Sequence, residues 1–236
     1  MENLGETIQI GIVVSCVLVM GILTVWAIWF ARERNRANAE QAKALGFKLL
    51  SRPDKTFRKR IEHLYRISDQ VRISNVAMKR RGEEEIYLCD ISLSSRNDDS
   101  GEMEYRTVCI ISPHLDLPYF LLLYQFEQVY ALAGKFMTPL LDKIVQSRGL
   151  EAIKFENESL FNEKYLLFSN NETKAKNIFS DTLIAKLSNT QNWVIRGEDD
   201  MFTFNRFEVR RGKVLTQAEI NEQINLALQV FEWMKY

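Results

Sequence analysis

The sequence predicts an α+β protein: one N-terminal transmembrane helix followed by a largely antiparallel sheet domain covered by helices. Three observations carry this. Ile8–Phe30 is an uncharged run bounded by Glu6 and Arg32. Between Arg72 and Asn205, short stretches with alternating apolar residues recur, separated by turn residues. Apolar stripes at helical spacing over Asp54–Arg66, over Thr173–Leu187 and after Thr216 supply the covering layer.

A helix of about 23 residues reaches about 34 Å, enough for a hydrocarbon core of about 30 Å. The leader holds Glu2 and Glu6 with no Lys or Arg, and the run ends in Trp26, Trp29 and Phe30. A cleaved signal peptide has a basic leader and a small-residue cleavage site instead. Arg32, Arg34, Arg36 and Lys43 follow the run, and such residues stay cytoplasmic. The expected topology at a bacterial inner membrane is therefore a short external N-terminus (1–7), a span (8–30), a basic helical stalk (31–46) and a cytoplasmic domain (47–236). A division of that domain into two sub-units would fall near 148–150. Gly11 and Ser15 make a small-xxx-small spacing through which two spans could approach, the basis for expecting a homo-oligomer.

The rest of the chain follows in order. Gly46 is a C-terminal stop for the stalk. Phe47–Leu50 is a short strand, and Ser51-Arg52-Pro53-Asp54 opens a helix carrying Phe57, Ile61, Leu64 and Tyr65 on one side. Arg72–Arg80 and Glu85–Ser94 are strands joined by a turn at Gly82. In the second, Tyr87, Cys89, Ile91 and Leu93 form the inner face, and Asp90, Ser92 and Ser94 point to solvent. The loop Arg96–Gly101 lacks the spaced ligands of a calcium loop. Tyr105–Ser112 and Tyr119–Gln125 are further strands, joined by the proline-bounded turn 113–118. Phe126–Val145 has helical spacing interrupted at Gly134 and Pro139. Glu151–Phe155 and Lys164–Ser169 are short strands. Asn192–Arg196 and Met201–Asn205 form a hairpin. Thr216-Gln217-Ala218-Glu219 is a capping box at the head of the last helix.

These stretches resemble a family of uncharacterised bacterial single-span membrane proteins. The resemblance rests on the glycine-ended stalk with ALGFKLL, on NVAMKRRGEEEIYLCDISLS, on PHLDLPYFLLL, on FNEKYLLFSNNETKAKNIF and on WVIRGEDDMFTFNR with its trailing helix. It covers most of Ala44–Met234 and leaves Phe126–Ser147 as an addition to the pattern. It implies a bacterial source and a soluble α+β domain of unknown function, and it carries over no catalytic residue.

Lys+Arg and Asp+Glu both number 31, so no global field favours nucleic acid. The 3 cysteines make neither a disulfide framework nor a zinc spacing. No glycine-rich phosphate loop, serine elbow or paired helical histidines appears, and no cofactor or metal is expected. The expected function is a membrane-tethered interaction or scaffold module whose partners are the lipid bilayer and a protein. Its candidate surface is basic: Arg58, Lys59, Arg60, Arg80, Arg81, Arg210 and Arg211. One alternative is an enzyme using His114 with Asp116, an imidazole and a carboxylate close in sequence. Another is a regulatory or assembly component that docks through 126–145.

Overall fold

The structure, a computed structural model, describes residues 2–66, 70–94, 103–125, 149–190, 192–206 and 215–235, with side chains from Cys16 onward outside 94–104. Helix α1, Glu2–Ala44, is continuous over 43 residues. Its apolar part is long and apolar enough to cross a membrane and is unburied. Val17–Phe30 presents its large apolar side chains on every side, as a span in lipid requires. Below Ala31 the helix changes character without breaking. Arg34, Ala37, Asn38, Gln41, Ala42 and Leu45 recur on one stripe, and this stripe is the covered one, with Ala42 fully buried. Gly46 ends the helix at φ 79°, where a side chain would be strained. Its N–H reaches Lys43 O at 2.9 Å and that of Phe47 reaches Ala42 O at 2.9 Å, the paired bonds of a Schellman stop.

Nine strands form one sheet: β1 Lys48–Leu49, β2 Gln70–Arg81, β3 Glu84–Ser94, β4 Met103–Ile111, β5 Leu117–Tyr124, β6 Glu151–Ile153, β7 Tyr165–Ser169, β8 Trp193–Asp199 and β9 Met201–Arg206. The spatial order is β1-β2-β3-β4-β9-β8-β5-β7-β6, and every pairing is antiparallel. Helix α2, Lys55–Leu64, covers one face, where Phe57, Ile61 and Leu64 meet Tyr87, Cys89, Ile91 and Cys109. The other face carries Leu88, Val108, Ile110, Phe120, Phe202 and Phe204. Over it lie the end of α1, α3 (Ser159–Lys164), α4 (Glu172–Ile178), α5 (Asp181–Ser188) and α6 (Gln217–Met234). Each buried Leu or Phe there contributes about 1.5–3 kcal/mol.

The expected elements are present, with three differences. Thr173–Leu187 is two helices, because Phe179 leaves helical geometry to pack edge-on against Phe120 at 5.2 Å. Between the strands expected at Glu151–Phe155 and Lys164–Ser169, Ser159–Lys164 form α3, which buries Phe161 and takes the first residue of the second strand. The hairpin turn is the two residues Asp199-Asp200, with Asp199 at φ 53°, and Gly197 belongs to the strand. The stretch 126–145, the loop 96–101 and Arg210 and Arg211 lie outside the described residues, as does the side-chain face of Gly11 and Ser15.

Gly197 is required by packing. A Cβ there would stand 2.8 Å from Phe120 Cζ and 3.0 Å from Leu117 Cδ1. Gly197→Ala is expected to destabilise the protein by about 1–3 kcal/mol through overpacking. Denaturant unfolding of the full chain in detergent measures this, and an unchanged midpoint would contradict the packing.

Candidate functional site

The most constrained polar site joins α1 to the sheet. Asp90 was expected to face solvent. It is instead 3% exposed, because the stalk lies across its face of β3. Its Oδ1 accepts from Arg106 Nη1 at 2.7 Å. Its Oδ2 accepts from Asn75 Nδ2 at 2.6 Å and from Asn38 Nδ2 at 3.0 Å. The Asp90 and Arg106 side chains are only 4% and 6% exposed, so this is a buried ion pair whose carboxylate takes two further hydrogen bonds, while Arg106 Nε is buried without a hydrogen-bond partner.

A defect in β2 makes the arrangement possible. Ser74 pairs with Asp90 and Ala77 with Leu88, so Asn75 and Val76 together oppose one residue, a β-bulge. Asn75 sits at φ 49°, a conformation asparagine tolerates better than most residues. From there its amide reaches both Asp90 and Asn35 Oδ1, the latter at 2.8 Å. Three further bonds bring in the last helix. Gln41 Nε2 donates to Leu215 O at 2.9 Å, just ahead of α6. Gln223 Nε2, on α6, donates to Arg106 O at 2.8 Å and Phe204 O at 2.9 Å. Helix α1, the sheet and the last helix are thereby joined. Sequence reasoning missed this node. Its signals are a carboxylate inside an apolar strand and the stripe of small and amide residues in the stalk.

Where the stalk ends, a groove of about 340 Å³ opens between Leu45, Phe47, Ile86, Ile224 and Leu228, with Lys79, Arg80 and Arg81 at its rim. A second groove, about 380 Å³, lies by α2 on the opposite face and is lined by Lys59, Arg60, His63 and Glu198.

The expected basic residues divide between these places. Arg58 pairs with Glu62 at 2.9 Å and Arg60 pairs with Asp200. Arg80 pairs with Glu85 at 2.8 Å and Arg81 with Glu232 at 3.4 Å. Glu85 is influenced by both sets. The Tyr87 hydroxyl and the Arg80 guanidinium hold its carboxyl below its ordinary range, with Arg60 adding to the effect. These arginines are therefore compensated, yet their pairs are exposed ones worth about 0–1 kcal/mol, so the guanidiniums exchange partners at little cost.

His114 and Asp116 turn apart. His114 Nε2 lies 3.0 Å from Glu83, and Asp116 lies 2.7 Å from Lys174. Their side chains are 52% and 86% exposed, so no water-excluded site encloses them. Cys89 and Cys109 are buried, and burial pushes the Cys89 thiol up to about 12, so both are inert filler, not nucleophiles. Among the described residues no group of three His, Cys, Asp or Glu could hold a metal ion.

Removing the Asp90 carboxylate strands a buried guanidinium. Asp90→Ala is expected to cost about 3–5 kcal/mol, and Asp90→Ala with Arg106→Met to recover much of it. Unfolding of both variants in detergent tests this, and a double variant no better than the single would count against the pair.

No protein-family model matches the chain, and no curated protein matches it. Among solved structures it is similar to one described as "crystal structure of the mycobacterial trehalose monomycolate transport factor A, TtfA". The TM-score is 0.53 at 8% identity, over 86% of this chain and 94% of that one. At this identity the likeness concerns the fold: an α+β protein with a helix-covered antiparallel sheet.

Proposed function

We propose that this chain is a single-pass protein of a bacterial inner membrane, with its N-terminus outside and its domain in the cytoplasm, acting as a non-catalytic docking module for a protein partner. It is read as one of the bacterial single-span proteins that its motifs resemble. The observation that carries the reading is the continuity of α1. One helix holds an apolar segment exposed on every side and, after Arg32, a stripe interlocked with the sheet. Anchor and domain therefore form one rigid unit, which holds a binding surface at a fixed place relative to the bilayer and raises its effective concentration for membrane partners.

The groove at the stalk's end is the surface this arrangement presents. Its apolar floor and arginine rim suit a partner segment that carries apolar residues beside carboxylates. Lys79 already lies along the Phe47 ring, 5.9 Å from its centroid, so the rim cations border the apolar floor directly. The likeness to a transport factor supports an accessory role over a catalytic one. Fold likeness brings no cargo with it.

Two measurements test the proposal. A reporter active only in the cytosol, fused after Tyr236, is expected to be active, and activity on the external side alone would overturn the topology. A photo-crosslinker at Asn225 in the groove is expected to give a discrete adduct in cells. Arg80→Glu with Arg81→Glu should abolish it while the chain stays folded and membrane-bound. An adduct indifferent to both charge reversals would contradict docking at this rim.

A further inference from the structure

The α2 face of the sheet carries a polar patch that the fold leaves incomplete. Strand register builds it. Arg196 on β8 pairs with Thr203 on β9, and Val194 pairs with Asn205. Arg196 and Asn205 are therefore diagonal neighbours on the face that Val194 and Met201 share with α2, about 7–8 Å apart. Thr203 is fully buried and Asn205 is 1% exposed. Tyr65, at the end of α2, lies over the patch. Its ring meets the Arg196 guanidinium at 4.3 Å, and its hydroxyl donates to Thr203 Oγ1 at 3.2 Å.

Two groups in this patch lack partners. Among the described residues the Arg196 guanidinium makes no ion pair and no hydrogen bond, and its Nε is buried. The residue itself is half-buried, so the cation is neither fully hydrated nor neutralised. Glu198, the carboxylate two positions along the same strand face, is held by Arg66 at 2.7 and 3.1 Å and by His63 at 3.3 Å. The Tyr65 ring attracts the guanidinium but brings no counter-charge. Asn205 Oδ1 is also buried, and no donor reaches it. Thr107, directly opposite Asn205, gives its hydroxyl proton to Tyr105 O at 3.3 Å. Thr203 accepts from Tyr65 and keeps its own proton to donate. Burial pushes the Tyr65 and Tyr105 hydroxyls up against the opposing field of Arg196, so both stay neutral and the patch is positive.

A buried cation and a buried carbonyl without partners are both costly, and native proteins rarely keep either without a use. One kind of ligand satisfies both. It brings a negative charge to Arg196 and a donor to Asn205, on adjoining atoms. A carboxylate with a hydroxyl on the neighbouring carbon has this form. An ammonium in place of the hydroxyl would put a like charge beside Arg196.

We propose that Arg196, Thr203 and Asn205 form a binding site for a small organic acid of the α-hydroxy carboxylate class. The carboxylate lies on the Arg196 guanidinium and the Thr203 hydroxyl, and the ligand hydroxyl donates to Asn205 Oδ1. The site is on the opposite face of the sheet from the stalk and its groove, so it is independent of the docking surface. Tyr65 joins it to the end of α2, and a bound acid therefore ties α2 to the sheet more firmly.

Fluorine NMR on the full chain in zwitterionic nanodiscs, with empty nanodiscs as the blank, tests this. The probes are para-trifluoromethylmandelate, para-trifluoromethylphenylacetate, which lacks the hydroxyl, and the neutral para-trifluoromethylbenzyl alcohol. The mandelate line should broaden several-fold more than the phenylacetate line, and the alcohol no more than in the blank. Arg196→Met keeps a stem over Tyr65 and removes the charge. It should abolish the broadening and leave the unfolding midpoint unchanged or raised, since a cation without a counter-ion is lost. Asn205→Asp places a carboxylate diagonal to Arg196 as an internal counter-ion, and should block the mandelate while the chain stays folded. A lowered midpoint in Arg196→Met would mean that the cation serves the fold, and would overturn the site. So would broadening indifferent to both variants, or none in the native chain. An equal response to the two acids would overturn the assignment to hydroxy acids.

Discussion

A single buried carboxylate holds this protein's two halves together. Asp90 takes hydrogen bonds from Arg106 within the sheet, from Asn75 at the bulge and from Asn38 on α1. A charge so buried is tolerated only when its lone pairs are satisfied. Each donor comes from a different element, so satisfying the charge forces those elements into one arrangement. Remove the bulge and Asn75 no longer reaches. Shift α1 by one residue and Asn38 turns away from the strand. The polar node contributes specificity of docking, and the stability comes mainly from the apolar cores on the two faces of the sheet.

That constraint explains why the stalk is not a linker. A helix of Arg, Ala, Asn and Glu beyond a span has little apolar surface with which to bind a domain. Here Ala37 and Ala42 permit close approach, while Asn38 and Gln41 supply directional bonds. The Gly46 stop then turns the chain into β1, which pairs with β2, so the helix is tied at both ends of its contact. Gln223 ties α6 to β4 and β9 on the same face of the sheet.

Much of the fold was legible in the residues because it is local. The apolar helix, the Gly46 stop, the alternating strands and the Thr216–Glu219 capping box all depend on neighbours within a few positions. The remainder depends on distant partners. Alternation assigned Asp90 to solvent because nothing nearby says that residues 35–42 will cover it. The break between α4 and α5 reflects Phe179 choosing burial against Phe120, 59 positions earlier, over helix continuity. The place of β4 beside β9 comes from pairing across nearly a hundred residues. For the candidate surface, the arginines were visible but their compensation was not. Glu85, Asp200 and Glu232 become their partners only after folding.

The proposed docking function depends on the rigidity of the joint between α1 and the domain. A pulsed dipolar measurement between nitroxides at Arg32→Cys on α1 and Glu222→Cys on α6 addresses it most directly, in the full chain with Cys16→Ser, reconstituted in nanodiscs. A single narrow distance distribution is the expected result, since the node at Asp90 fixes the one element on the other. A broad distribution with the domain otherwise folded would mean that the stalk swings freely, and would contradict the rigid unit on which the proposed docking function is built.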